Sequence, residues 1–217
     1  MKDVLKRYSI STLGLIFVAL GVGLSIKSNL GIAPPSCPPT IFNLKWTGIS
    51  VGTFVWMLNL SFIVIQLILL GKKFRAEDLM QIPSAFAFGY LCDGAIWLFN
   101  SLEAPATDYF VQILLILAAV LMTAIGIKLE VVGKGWILAG DRLTAVISDL
   151  SKWKFSNIKI AFDIILVAGS AIFGLIVFSN PAGNGSTFVI REGTLIMAVF
   201  TGLCMKLTDP IIDRLFK

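Results

Sequence analysis

The chain has 217 residues, of which 57% are hydrophobic and 14% charged, with a mean hydropathy of +0.89 and a formal net charge of +5. A soluble domain carries about 25% charged residues to cover its surface, so this composition excludes an ordinary water-soluble fold and points to a chain embedded in lipid. Histidine is absent and the three cysteines (Cys37, Cys92, Cys204) are scattered. This excludes His-based acid–base chemistry and His-ligated metals, and argues against a zinc site or a disulfide framework.

Six apolar runs follow in chain order: 10–26, 53–70, 79–99, 111–129, 158–178 and 194–207. The first five approach the roughly 20 residues a helix needs to cross a bilayer, and the last is short unless it extends through Ile211. The first could be taken for a signal peptide, but further runs follow and no small-residue cleavage site is evident, so it reads as a retained span. Two stretches between the runs are too polar or too broken to span. One, 31–48, holds prolines at 34, 35, 38 and 39. The other, 133–150, holds Gly133, Gly135, Gly140, Asp141 and Arg142. Both read as short re-entrant or interfacial segments.

Orientation follows from the basic residues, which concentrate in cytoplasmic loops. With six spans and the N-terminus inside, Lys2, Lys6, Arg7, Lys72, Lys73, Arg75, Lys128, Lys134, Arg142, Lys152, Lys154, Lys159, Lys206, Arg214 and Lys217 fall inside. Only Lys27, Lys45 and Arg191 fall outside, and the external loop 100–110 carries Glu103 and Asp108 without a base. The positive charge thus reports a membrane orientation rather than a nucleic-acid surface. The expected topology is multipass, with both termini cytoplasmic.

The two halves, 1–105 and 106–217, can be laid over each other. Gly23 falls near Gly126, and Gly31 with Ala33 resembles Gly133 with Gly135. Asn59 and Gln66 match Asp163 and Ser170, while Gln81, Ala85 and Gly89 match Thr194, Ala198 and Gly202. Three spans per half turn the second half over. The expected fold is an all-α membrane protein of two three-helix inverted-topology repeats, each with a broken segment, as in many secondary transporters.

A family resemblance rests on Leu58-Asn59-Leu60, Gln66, Gly71-Lys72-Lys73-Phe74, Gln81-Ile82-Pro83-Ser84 and Phe88-Gly89-Tyr90-Leu91-Cys92-Asp93. Lys154-Phe155, Lys159 with Asp163, and Arg191-Glu192-Gly193-Thr194 extend it over nearly the whole chain. In these motifs the chain resembles the YitT/YczE-like bacterial integral membrane proteins. The resemblance implies a multipass inner-membrane protein and little about substrate. The family's acidic turn keeps its acid in Gly140-Asp141-Arg142 but not in Gly31-Ile32-Ala33-Pro34-Pro35-Ser36.

Ionisable groups at membrane depth cost at least about 2.5 kcal/mol on insertion scales, so each asks for a reason. Asp93 lies within the third run, one turn after Gly89, and reads either as a proton, cation or substrate site or as half of a packing ion pair. Asp163 is four residues after Lys159. The plain reading is an i,i+4 pair, and the functional one a central site shared with Asn59 across the repeat. Glu130, Asp141 and Arg142 surround the second broken segment, where interrupted helices expose polar backbone, although solvated loop charges would account for them equally. Arg191 and Thr194 flank a helix start that suits an anion, or simply a cap. The tryptophans, at 46, 56, 97, 136 and 153, suit an interfacial belt.

The leading expectation is a small secondary transporter of a polar solute or ion, with Asn59, Gln66, Asp93, Asp163 and Arg142 lining a midplane site. Its partners would be that solute, the bilayer and, in one arrangement, a second copy of the chain, with no cofactor, metal or nucleic acid. The alternative is an assembly or regulatory factor that binds another membrane protein. An enzyme is not expected, because no nucleophile–base pair is available.

Overall fold

The computed structural model describes residues 2–74, 76–101, 108–133, 135 and 137–215. Arg75, Glu103, Lys134, Trp136 and Lys217 therefore lie outside the described residues. Eight α-helices follow one another: α1 (Lys2–Ser28), α2 (Cys37–Lys45), α3 (Val51–Leu70), α4 (Gln81–Ser101), α5 (Tyr109–Gly133), α6 (Ala139–Ser151), α7 (Phe155–Phe178) and α8 (Glu192–Leu215). No strand occurs among the described residues; a single bridge joins Gly183 and Phe188.

Among the described residues, five helical stretches are long and apolar enough to cross a membrane: Lys6–Ser28, Val51–Lys73, Asp78–Ser101, Tyr109–Gly133 and Asn157–Phe178. They contain the first five runs read from the sequence. The sixth coincides with α8, whose apolar part among the described residues is only Glu192–Thr201. Lys206, Asp209, Asp213 and Arg214 interrupt the hydrophobicity beyond it. Large apolar side chains stand exposed on these helices, among them Ile68, Ile176 and Leu195. Patches of that extent are unstable against water and are at home against lipid tails. The chain is a helical membrane protein.

The two broken stretches each contain a short helix rather than a loop. Pro34 and Pro35 open a 3-10 turn (Pro34–Ser36), and Pro38 and Pro39 occupy the first turn of α2. Proline is tolerated there because first-turn N–H groups have no intrahelical acceptor. The prolines thus end the preceding segment and start the next. In the second half, α5 ends at Gly133 and α6 starts after Leu138, which makes no side-chain cap.

The packing centres on α1, which lies along α5 and is flanked by α4. The α1–α5 contact is close because glycine meets glycine. A β-carbon on Gly14 would sit 2.7 Å from the Gly126 carbonyl oxygen, and one on Gly126 equally near that of Gly14. Small residues at such crossings let backbones approach where lipid offers no hydrophobic driving force. The helices α3 and α7 each touch both short helices, α2 and α6. A cluster of Phe62, Ile63, Ala139 and Leu143 joins α3 to α6, with Phe162 of α7 packed against it. Another, of Ile32, Cys37, Ile41 and Val189, joins the α2 segment to the chain after α7.

Candidate functional site

The start of α6 gathers several of the buried polar side chains, among them Gln66, Gln81 and Asp78. Gln66, near the end of α3 and fully buried, exchanges amide hydrogen bonds with Gln81 at the start of α4, both 3.1 Å. Its Nε2 also donates to the Ala139 carbonyl at 3.0 Å. Both amide hydrogens of Gln66 are therefore used, and the pair fixes α6 against α3 and α4. One turn along, Arg142 donates through Nε and Nη2 to Asp78 Oδ1 at 3.3 and 3.1 Å. Asp78 is buried, in the 3-10 turn Ala76–Met80 that leads into α4.

Beside this lies a charged trio. Lys159 Nζ of α7 is 3.1 Å from Asp141 Oδ1, in the first turn of α6, and 3.2 Å from Asp163 Oδ1 on its own helix. All three side chains are between 21% and 34% exposed, so they are neither sealed off nor fully solvated. Asp163 stands on α7, which packs against both short helices, and the Lys159 ammonium links it to the first turn of α6.

Glu130, on the last turns of α5, is only 5% exposed. Its side chain lies against Gly14 of α1, where a β-carbon would sit 2.9 Å from Glu130 Cγ. Its Oε1 has no hydrogen-bond partner. The link it faces is tied to α1 by the Gly135 N–H, which donates to the buried Ser11 Oγ at 3.0 Å. Glu130, Asp141, Arg142, Gln66 and Asp163 are therefore brought to one region, the start of α6.

Asn59 is buried on α3, two turns before Gln66, with its amide turned onto the Val55 carbonyl of its own helix at 2.9 Å. Asp163, matched to it in the sequence, likewise contacts its own helix, pairing with Lys159. Asp93 is elsewhere. Its Oδ1 accepts the Gly52 N–H at 2.7 Å and its Oδ2 the Ser50 hydroxyl at 2.6 Å, where Ser50 is the N-cap of α3. It completes the cap from a neighbouring helix, where α3 and α4 cross between Gly52 and Gly89. A carboxylate at a helix start satisfies free N–H groups and the positive end of the dipole. The arrangement is the packing alternative read from the sequence, with a helix start in place of a base.

Arg191 and Thr194 form a third group. Arg191 forks onto Glu192 at 2.7 and 3.2 Å, donates to the Asn29 carbonyl at 3.2 Å and lies 5.0 Å over the Phe188 ring. The buried Thr194 hydroxyl donates to the Val189 carbonyl at 3.3 Å. With the Gly193 N–H on the Leu30 carbonyl at 2.7 Å and the Ile32 N–H on that of Val189 at 3.1 Å, they clamp the 179–191 connection to the end of α1. Among the described residues no group of His, Cys, Asp and Glu has the makings of a metal site.

Two members of the site, Asp78 and Gln81, were not among the residues singled out for it. Asp78 sits among loop charges in the sequence, and Gln81 marked the repeat and the family resemblance rather than a site. The signal for both was their position just ahead of a span whose first turn must meet a neighbour. Over residues 5–210 the chain matches DUF6198, a family of unknown function. The chain belongs to that family. It is also similar to the uncharacterized protein YyaS of Bacillus subtilis (strain 168), with 26% identity over 97% of this chain and 96% of that protein. No solved structure matches it.

Proposed function

We propose that this DUF6198 member is a small secondary transporter that moves a polar solute or ion across a bacterial inner membrane by alternating access. The observation that carries the reading is the Asp141–Lys159–Asp163 trio, which ties the start of α6 to α7, the helix that also packs against α2. Interrupted helices inside a bundle are tolerated where their polar ends serve a cavity or a bound group. Charges that bridge such an end to a neighbouring helix are where a solute can exchange one set of contacts for another.

The order of helices supports an inverted repeat. Long, short, long and long occur twice. Packing partners correspond as well: α1 lies on α4 as α5 lies on α8, and α3 on α6 as α7 on α2. The basic-residue pattern favours both termini inside. In this reading Asp163, with Asp141 and Lys159, is the exchanging centre. Gln66, Gln81, Arg142 and Asp78 hold α6 shut against α3 and α4, and Asp93 is a structural cap. The resemblance to YitT/YczE-like proteins agrees with a multipass membrane role.

Proteoliposomes test this directly. Wild-type protein should move a candidate solute faster than protein-free vesicles, and no solute-dependent flux across a panel of ions and small metabolites would overturn the reading. A second reading, a factor that binds another membrane protein, is favoured by α7, which lies largely exposed along its apolar face. A stable hetero-complex without solute flux would support it.

A further inference from the structure

We propose that Glu130 is an intramembrane proton-binding site, a carboxyl that holds an exchangeable proton in the seam between α1 and α5. Its coupling role rests on the transport reading above: Asp163 and its partners handle the solute and Glu130 the proton. The proton site itself is measurable without flux.

Three observations carry it. First, two acidic side chains are buried among the described residues, Asp78 and Glu130. Asp78 holds the Arg142 guanidinium. No ion pair reaches Glu130 among the described residues, and its Oε1 has no hydrogen-bond partner. Secondly, the place is tight and lies within the apolar helical stretch Tyr109–Gly133. A β-carbon on Gly14 would sit 2.9 Å from both the Cγ and the backbone nitrogen of Glu130. A lone carboxylate removed from water is far costlier than the neutral acid, and a proton relieves that cost. Thirdly, the proton is the cation that fits. Calcium and magnesium ask for a shell of oxygens, and among the described residues no group of His, Cys, Asp and Glu could hold a metal ion. A proton needs one oxygen, and it turns an acceptor-only carboxylate into a group that also donates.

The seam is suited to letting the proton go. Thr123 lies seven residues earlier on the same face of α5, and its buried Oγ1 is likewise unpartnered, against Gly21. Two orphaned oxygens on one helix face are costly while the seam is closed, and both gain partners when α1 and α5 part. The ionisable groups near Glu130 are few. On α1 they are Tyr8 and the exposed Arg7, a turn before Ser11. Lys128 is two residues away on α5 and points to another side of the helix. Asp141 of α6 is held by Lys159. Lys134, and Lys206 on α8, lie outside the residues whose side chains are described.

The test uses purified protein in detergent. Infrared difference spectra between wild type and Glu130→Gln at neutral pH read the site. The carbonyl band of a protonated carboxylic acid should be present in wild type, shift on transfer to deuterium oxide, and be missing from the variant. Loss of a carboxylate band instead, or a band that does not shift, overturns the proposal. Should Glu130→Gln fold poorly, wild type answers the question. Dicyclohexylcarbodiimide takes a carboxyl proton onto nitrogen as the carboxyl oxygen adds to its central carbon. It should modify Glu130 at least about tenfold faster than the exposed Asp108, and an equal or lower rate contradicts the proposal. In vesicles a pH gradient should drive solute uptake by wild type. Glu130→Gln should lose that drive at least about tenfold and keep solute exchange without a gradient; gradient-driven uptake retained in the variant overturns the coupling role. A protonated Glu130 without any flux would leave the proton site standing and overturn transport alone.

Discussion

The two short helices occupy corresponding places in the chain and are held in opposite ways. Helix α2 is fixed by rings: Phe42 lies 4.8 Å from Phe173, 5.8 Å from Phe54 and 6.1 Å from Trp46, edge to face. Its polar side chains bond locally, Thr40 to the Ser36 carbonyl and Asn43 to the Ile49 carbonyl just after the helix. Helix α6 is fixed by an amide pair, a forked ion pair and the Asp141–Lys159 bridge. Aromatic packing is non-directional and indifferent to salt, whereas hydrogen-bonded charges have discrete partners that can be exchanged. The difference teaches that if one short helix moves to admit a solute, α6 is the one equipped to trade partners, with α2 the firmer wall.

The largest effect that could break this contrast is at the wall. Phe42→Ala should cost about 3 kcal/mol, the lower end for loss of a packed phenylalanine because Phe42 is only partly buried. Thermal unfolding should show the same loss at low and high salt. Next comes Gln66→Leu, which strands the Gln81 amide and the Ala139 carbonyl and should cost about 1–3 kcal/mol. Adding Gln81→Leu should return part of that, since replacing both partners leaves fewer unsatisfied groups; a cycle in which the two losses simply add would mean the amide pair does not hold α6. Asp93→Ala removes a cap and should cost about 1 kcal/mol, with flux per folded molecule unchanged. The smallest effect is Asp141→Asn. This half-exposed pair contributes at most about 1 kcal/mol, screened by salt, yet the substitution should reduce solute flux well out of proportion to its effect on stability.

Much of the fold was legible in the composition and the apolar runs. Five runs became long apolar helices because a bilayer demands that length and leaves few alternatives. The broken stretches were legible as interruptions, but not as helices, since proline in a first turn and proline in a helix interior look alike in sequence. The site was legible in part. Asp141, Arg142, Asp163, Glu130 and Gln66 do converge, because charges rare in an apolar chain must seek one another. Asp93 looked equally distinctive, and its partners are the N-cap Ser50 and the Gly52 N–H, which no pattern of charges announces. Lys159 looked like an ordinary i,i+4 partner, and its second carboxylate on α6 depends on a contact eighteen residues away that spacing cannot show.

The central claim is that Asp163, not Asp93, is the carboxylate on which function turns. Paired flux measurements on Asp163→Asn and Asp93→Asn, each normalised to folded protein in the same vesicles, test it most directly. Flux should fall at least about tenfold for Asp163→Asn and stay near wild type for Asp93→Asn. Unchanged flux in Asp163→Asn, or a collapse in Asp93→Asn alone, would contradict the account.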